Sequence, residues 1–159
     1  MPEVFVGAGS NEDPVRALRR AAAELERSFG ALRCSRVYRS AAIGAPAPDY
    51  LNLVLSLSTE REVDSVREAL RAIETLAGRS RTDPALCQLD LDLLLYGARV
   101  DALQRLPRPG LFTTPFVLGP LAELAPELAH PVTAERCVVA WQAANRADLH
   151  DVGPLGSLR

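Results

Sequence analysis

Residues 89–96 read Leu89-Asp90-Leu91-Asp92-Leu93-Leu94-Leu95-Tyr96, an apolar run interrupted twice by aspartate at a spacing of two. Side chains alternate faces along a β-strand, so this spacing turns both carboxylates to one side, roughly 7 Å apart at a rise of about 3.3 Å per residue. Leu89, Leu91, Leu93 and Leu95 are then expected on the opposite face, against a core. Upstream, a polar turn at 78–88 separates this strand from a helix expected over roughly 62–77. There Val66, Leu70, Ile73 and Ala77 form the apolar stripe and Gly78 stops it. Arg67, Arg71 and Glu74 lie off that stripe.

Further out the same reading continues. Tyr50–Ser58 alternates Leu51, Leu53, Leu55 and Leu57 with Asn52, Val54 and Ser56, which predicts a strand. Leu32–Ser40 is strand-like, and a Pro- and Gly-punctuated loop joins the two. Glu3–Gly9 predicts a first strand, Gly-Ser-Asn a turn, and residues 14–29 a helix with Asp13 as N-cap, Pro14 in the first turn and Gly30 at its end. The order β-α-β-β-α-β predicts an α+β fold with a ferredoxin-like core and a mainly antiparallel sheet. Beyond Tyr96, Phe116–Leu128 predicts a helix shortened by Pro120 and Pro126. A last helix near 134–146 places Cys137, Trp141 and Ala144 on one face, and the tail from Asp151 is expected to be loose. Residues 1–159 read as one domain.

Composition bounds the function. Apolar residues make up 48% and charged residues 24%, as in ordinary globular chains. A net charge of −2 argues against broad capture of nucleic acid or an acidic membrane. All eighteen basic residues are arginine, which excludes lysine Schiff-base chemistry and a P-loop lysine, and leaves planar guanidinium groups to handle any phosphate. Cys34, Cys87 and Cys137 are scattered without metal or disulfide spacing, which suits a reducing cytoplasm. No stretch approaches the length of a membrane span, and His130 and His150 form no metal motif. An RNA-binding βαββαβ module would show aromatic and basic residues on its central strands, which these strands lack.

Asp90 and Asp92 suit Mg²⁺, which takes one or two carboxylates and completes its shell from waters and substrate phosphates. The same pair is also what a half-exposed strand shows to water, and on its own the motif leaves both readings open. Arg79 and Arg81 in the preceding turn could meet a polyphosphate. Gly9-Ser10-Asn11 offers backbone N–H groups near a helix start, or an ordinary turn. Ser40, Tyr50 and Asn52 could form a flat hydrogen-bonding pocket with an aromatic wall, since an amide on an apolar strand must find partners in a ligand or in the backbone.

GAGSN at 7–11, YRSAAIG at 38–44, PDYLN at 48–52, IE with GRSR over 73–81, LDLDLLLYG at 89–97 and PLAELAPEL at 120–128 together resemble the 6-hydroxymethyl-7,8-dihydropterin pyrophosphokinase family of folate biosynthesis, in register over about positions 3–130. The resemblance implies transfer of diphosphate from ATP to the pterin hydroxymethyl group with two Mg²⁺ ions, by a monomer or weak homo-oligomer. It implies Asp90 and Asp92 as metal ligands, Arg79 as a catalytic residue, and Glu74, Arg79, Arg81 and Arg105 around ATP. Ser40, Ala41, Ile43, Tyr50, Asn52 and Phe116 are implied around the pterin.

Departures from the family pattern accompany the match. Cys87 stands where the family has an arginine, Gly110 where it has a histidine and Thr114 where it has another arginine, and the preceding loop is shorter and lacks a tryptophan. Each lost charge-assisted contact at a phosphoryl centre costs about 2–4 kcal/mol of transition-state stabilisation. Two outcomes follow from the sequence: a pyrophosphokinase of altered efficiency or pterin preference, or a pterin- and nucleotide-binding protein without turnover.

Overall fold

The computed structural model describes residues 1–44, 46–78 and 83–159. The elements, in chain order, are β1 (Glu3–Ser10), α1 (Pro14–Phe29), β2 (Arg33–Cys34), β3 (Val37–Ser40), β4 (Tyr50–Ser58), α2 (Val63–Ala77), β5 (Asp90–Tyr96), α3 (Pro115–Leu124), α4 (Cys137–Ala143) and β6 (Leu149–Gly153). The strands lie in the order β5-β1-β4-β3-β6 with β2 also on β4, and every pairing is antiparallel. The ferredoxin-like core is therefore present, extended by one strand at its β3 edge.

Both faces of the sheet are covered. On one, α1 and α2 pack Leu18, Leu25, Val66, Leu70 and Ile73 against Val4, Val6, Leu53, Leu55, Leu91 and Leu93. On the other, α3 and α4 pack Val117, Leu118, Leu121 and Ala140 against Phe5, Val54, Leu94 and Leu95. Burial of these side chains at about 25 cal/mol per Å² of apolar surface dominates the stability of such a layered core. Helix α3 is apolar around most of its circumference and carries Pro120 inside it, and Ala125 closes it well short of the expected Leu128.

Several local expectations change. Leu95 does not share a face with Leu91 and Leu93. Val6 pairs with Leu93 but Phe5 pairs with Leu95, so Leu94 is an extra residue that flips the end of β5 onto the α3 side. The strand-like run 32–40 is split at Ser35, whose Oγ accepts the Val54 N–H at 2.9 Å while its own N–H donates to Val54 O at 2.9 Å. Asp13 precedes α1 in the left-handed region (φ 47°) and makes no side-chain cap. The tail is not loose. Asp151 on β6 accepts two hydrogen bonds from Arg36 Nε at 3.0 and 2.8 Å, and Leu155 and Leu158 pack on the first core. Among the described residues no helix is long and apolar enough to cross a membrane.

Candidate active site

At the start of β5, the α3–α4 layer stops covering the sheet. Asp90 pairs with Gly9 and Asp92 with Gly7 on β1, and those glycines pair in turn with Asn52 and Val54 on β4. Gly7 and Gly9 present no side chain, so the sheet has a shallow floor between the aspartates and Asn52. A Cβ on Gly9 would lie 3.1 Å from Asn52 Oδ1. The resulting cavity of about 240 Å³ is lined by Gly7, Gly9, Ser40, Ala41, Ile43, Tyr50, Asn52, Asp90, Asp92 and Phe116, together with Ala8, Leu53, Val54 and Val117. All six residues expected around a pterin thus meet the two aspartates in one space.

Asn52 is buried, and its Nδ2 donates to Ser40 Oγ at 2.9 Å and to Tyr38 O at 3.2 Å. Those bonds fix the amide orientation and turn Oδ1 over Gly9 as an acceptor facing the cavity. Ser40 Oγ, having accepted from Asn52, keeps its own proton to donate. The pocket therefore offers one acceptor and one donor between the Tyr50 and Phe116 rings, while Ile43, 85% exposed, stands on the loop at its rim.

A second cavity of about 190 Å³ opens on the α2 side of the same strand edge, lined by Arg67, Arg71, Glu74, Asp92, Arg105 and Arg108 with Leu70, Leu91 and Leu93 beneath. Glu74 and Arg105, expected near a nucleotide, are both here. Asp92 lines both cavities. Arg108 Nη2 lies 3.4 Å from Asp92 Oδ2, and the Arg108 N–H donates to Leu94 O at 2.9 Å, which ties its loop to β5. Four guanidinium groups around a polar hollow are chemistry suited to an anion, and Asp92 at its edge, with Asp90 two residues before it on β5, offers the carboxylates that a hard cation takes. Among the described residues no three His, Cys, Asp or Glu side chains converge as a metal cage. An ion held by Asp90 and Asp92 would therefore complete its shell from waters or a ligand's oxygens, which is how Mg²⁺ is commonly bound.

Arg79 and Arg81 lie outside the described residues. Cys87, Gly110 and Thr114 are described. Burial, then the Asp90 charge, pushes the Cys87 thiol pKa up, with the Tyr50 hydroxyl acting in the opposite direction. Burial likewise raises the Tyr50 phenol. Both groups are therefore neutral near pH 7. Gly110 has φ 78°, and a Cβ there would lie 3.0 Å from Thr114 Oγ1. Thr114 is the residue before α3 and makes no side-chain cap.

Sequence reasoning missed Gly7 and Gly9 as the cavity floor, although GAGSN was singled out for its turn. Arg67 and Arg71 went unassigned, although their position off the α2 apolar stripe beside Glu74 was a readable signal. The Asn11 backbone N–H, one of those read as available to an anion, donates to Cys87 O at 3.0 Å, and its side chain donates to Ala85 O at 2.9 Å and to Pro48 O at 3.4 Å, joining two loops.

Residues 5–126 match the family described as 7,8-dihydro-6-hydroxymethylpterin-pyrophosphokinase. The chain is 38% identical over 159 aligned residues to a 2-amino-4-hydroxy-6-hydroxymethyldihydropteridine pyrophosphokinase of Synechocystis sp., with 91% of this chain and 82% of that protein covered. It is 36% identical over 137 residues to the enzyme of the same name from Pseudomonas aeruginosa, with 80% and 83% covered. Among solved structures, wild-type HPPK-DHPS of Plasmodium falciparum superposes with a TM-score of 0.71 at 11% identity over 89% of this chain. This chain spans 44% of that longer one, and at such identity the likeness concerns the fold alone.

Proposed function

The chain belongs to the 7,8-dihydro-6-hydroxymethylpterin-pyrophosphokinase family, and we propose that its two cavities hold the two substrates of that family's reaction on either side of Asp92. It transfers pyrophosphate from ATP to 6-hydroxymethyl-7,8-dihydropterin, a step of folate biosynthesis. The observation that carries the division of labour is that Asp92 borders both an aromatic, hydrogen-bonding cavity and an arginine-lined one.

In this reading the pterin lies between Tyr50 and Phe116, with Asn52 Oδ1 accepting from an N–H on its edge and Ser40 donating to an acceptor. Ala41 and Ile43 cover the ring from the loop. Glu74 and Arg105, with Arg79 and Arg81 as the family resemblance implies, hold ATP. Asp90 and Asp92 would hold two Mg²⁺ ions, which when bound neutralise the phosphate oxygens at the point of transfer. Tyr50 and Cys87, neutral near pH 7, add no negative charge beside Asp90 to repel the triphosphate.

The hydroxymethyl oxygen forms a bond to the β-phosphorus, the bond from that phosphorus to the α,β-bridging oxygen breaks, and AMP leaves with the electron pair. The hydroxyl proton passes to solvent. Protein residues contribute positioning and charge, not covalent chemistry. Residues 1–159 act as one domain in this reading, as a monomer or weak homo-oligomer, and the three free cysteines suit a reducing cytoplasm.

The test incubates the purified chain with ATP, Mg²⁺ and 6-hydroxymethyl-7,8-dihydropterin and follows AMP. Wild-type protein is expected to release AMP, and Asp90→Ala and Asp92→Ala to release at least about 10²-fold less. Wild-type AMP no higher than that of Asp90→Ala would overturn transfer. Micromolar pterin binding by calorimetry without turnover would then identify a binding protein.

A further inference from the structure

Arg108 is a residue of the second cavity to which the family resemblance assigns no role; from the sequence it is one of three loop arginines, at 99, 108 and 136, that could replace a missing cation. Its position follows from the turn after β5: Asp101 and Leu106 bridge one another, and the Arg108 N–H closes onto Leu94 O at 2.9 Å, so the side chain starts from backbone anchored to the strand that carries Asp90 and Asp92. The side chain is 28% exposed and its guanidinium faces Asp92 at 3.4 Å, longer than a close charge-assisted hydrogen bond. One further contact is made, from Nη1 to the neighbouring Pro109 O at 3.4 Å. Among the described residues no other side-chain contact is made, so most of its five N–H donors remain for a ligand, in a hollow shared with Arg67, Arg71 and Arg105.

On the opposite side of the aspartates, residue 87 supplies a neutral thiol. Among the described residues, positive charge beside Asp92 comes from across the strand edge, from Arg67, Arg71, Arg105 and Arg108. We propose that Arg108 is a phosphate-binding residue of this chain: it pairs with Asp92 and turns its remaining donors to the oxygens of the transferred diphosphoryl group when ATP enters. There it stabilises the charge that builds as the bond to the α,β-bridging oxygen breaks, in the place of the cation that Cys87 does not provide. The proposal rests on the reading of the second cavity as the nucleotide site.

The experiment compares wild type, Arg108→Met and Arg108→Lys as full-length chains. It measures AMP release at saturating substrates, the affinity for Mg²⁺ and α,β-methylene-ATP by calorimetry, the affinity for the pterin, and the thermal midpoint. Because the bond to Leu94 is made by the backbone, Arg108→Met is expected to fold and bind pterin within twofold of wild type. It is expected to lose about 10²-fold in kcat and about tenfold in analogue affinity, with partial recovery in Arg108→Lys. Should Arg108→Met fold poorly, the same comparison is read from Arg108→Lys, whose rigid fork is lost while its charge remains.

Turnover and analogue affinity within twofold of wild type would overturn the proposal, as would a loss of pterin affinity as large as that of nucleotide. If the wild type makes no AMP, the transfer reading fails on its own, and analogue affinity still judges Arg108. A tenfold loss in Arg108→Met supports phosphate contact, and an unchanged value refutes it.

Discussion

Asn11 and Cys87 hold one another through two hydrogen bonds, 76 residues apart in sequence: the Cys87 N–H donates to Asn11 Oδ1 at 2.5 Å, and the Asn11 N–H donates to Cys87 O at 3.0 Å. Asn11 Nδ2 reaches on to Ala85 O and Pro48 O, so one buried amide joins the end of β1 to the loops before β4 and β5. Asn11→Ala leaves an N–H and two carbonyls short of partners. A loss of about 1–3 kcal/mol in urea unfolding is expected, together with a raised KM for the pterin as the Pro48 loop is released. Unchanged stability and unchanged KM would show that water replaces the amide without cost.

Gly9 and Gly7 make a paired test of the cavity floor. A methyl at Gly9 meets Asn52 Oδ1 at 3.1 Å and disturbs the acceptor proposed for the pterin, whereas the nearest atoms to a methyl at Gly7 are Leu94 carbons at 3.5 Å or more, an ordinary van der Waals contact. Gly9→Ala is expected to raise the pterin KM about tenfold and leave the ATP KM within twofold. Gly7→Ala is expected to change the pterin KM far less. Steady-state kinetics on both variants decide the matter, and equal effects would place the ring away from Gly9.

The three thiols differ in environment, and pH separates them. Burial and the Asp90 charge raise the Cys87 pKa above its ordinary value of 9.0, so its alkylation by iodoacetamide is expected to climb about tenfold per pH unit from 7 to 9 without a plateau. Bound ATP and pterin should slow it. A plateau below pH 8.5, read by peptide mapping, would show a depressed pKa instead.

Cys137 is buried in the α3–α4 core, and burial pushes its thiol to about 12. The unfolded chain loses this proton near 9 while the folded chain keeps it, so unfolded protein binds fewer protons across that window and stability falls as pH rises from about 9. Cys137→Ala should flatten that slope in urea titrations at pH 8 to 10.

Placing at position 110 the histidine that the family resemblance implies is expected to fail. Gly110 occupies φ 78°, and any Cβ there crowds Thr114 Oγ1 at 3.0 Å. Gly110→His should destabilise the chain by about 1–2 kcal/mol and leave AMP release no higher than wild type. A rise in kcat with an unchanged thermal midpoint would show that the turn adapts.

Residue periodicity determined most of the secondary structure. The bounds of α1 and β4 were readable because alternation, helical spacing, Pro14 and Gly30 act within a few residues. The shared face of Asp90 and Asp92 followed from strand parity, and the residues expected around the pterin followed from motif matches. Tertiary pairing decided the rest. Leu95 changes face because β1 imposes a bulge at Leu94, and β6 forms because Arg36 and the β3 edge were waiting for a partner from 109 or more residues further along the chain. Likewise the Arg108–Asp92 pair, the Gly7–Gly9 floor and the Asn11–Cys87 clasp join segments that no local window contains. Periodicity encodes which side of an element a residue occupies, whereas the identity of its neighbour is set only when distant strands close against one another.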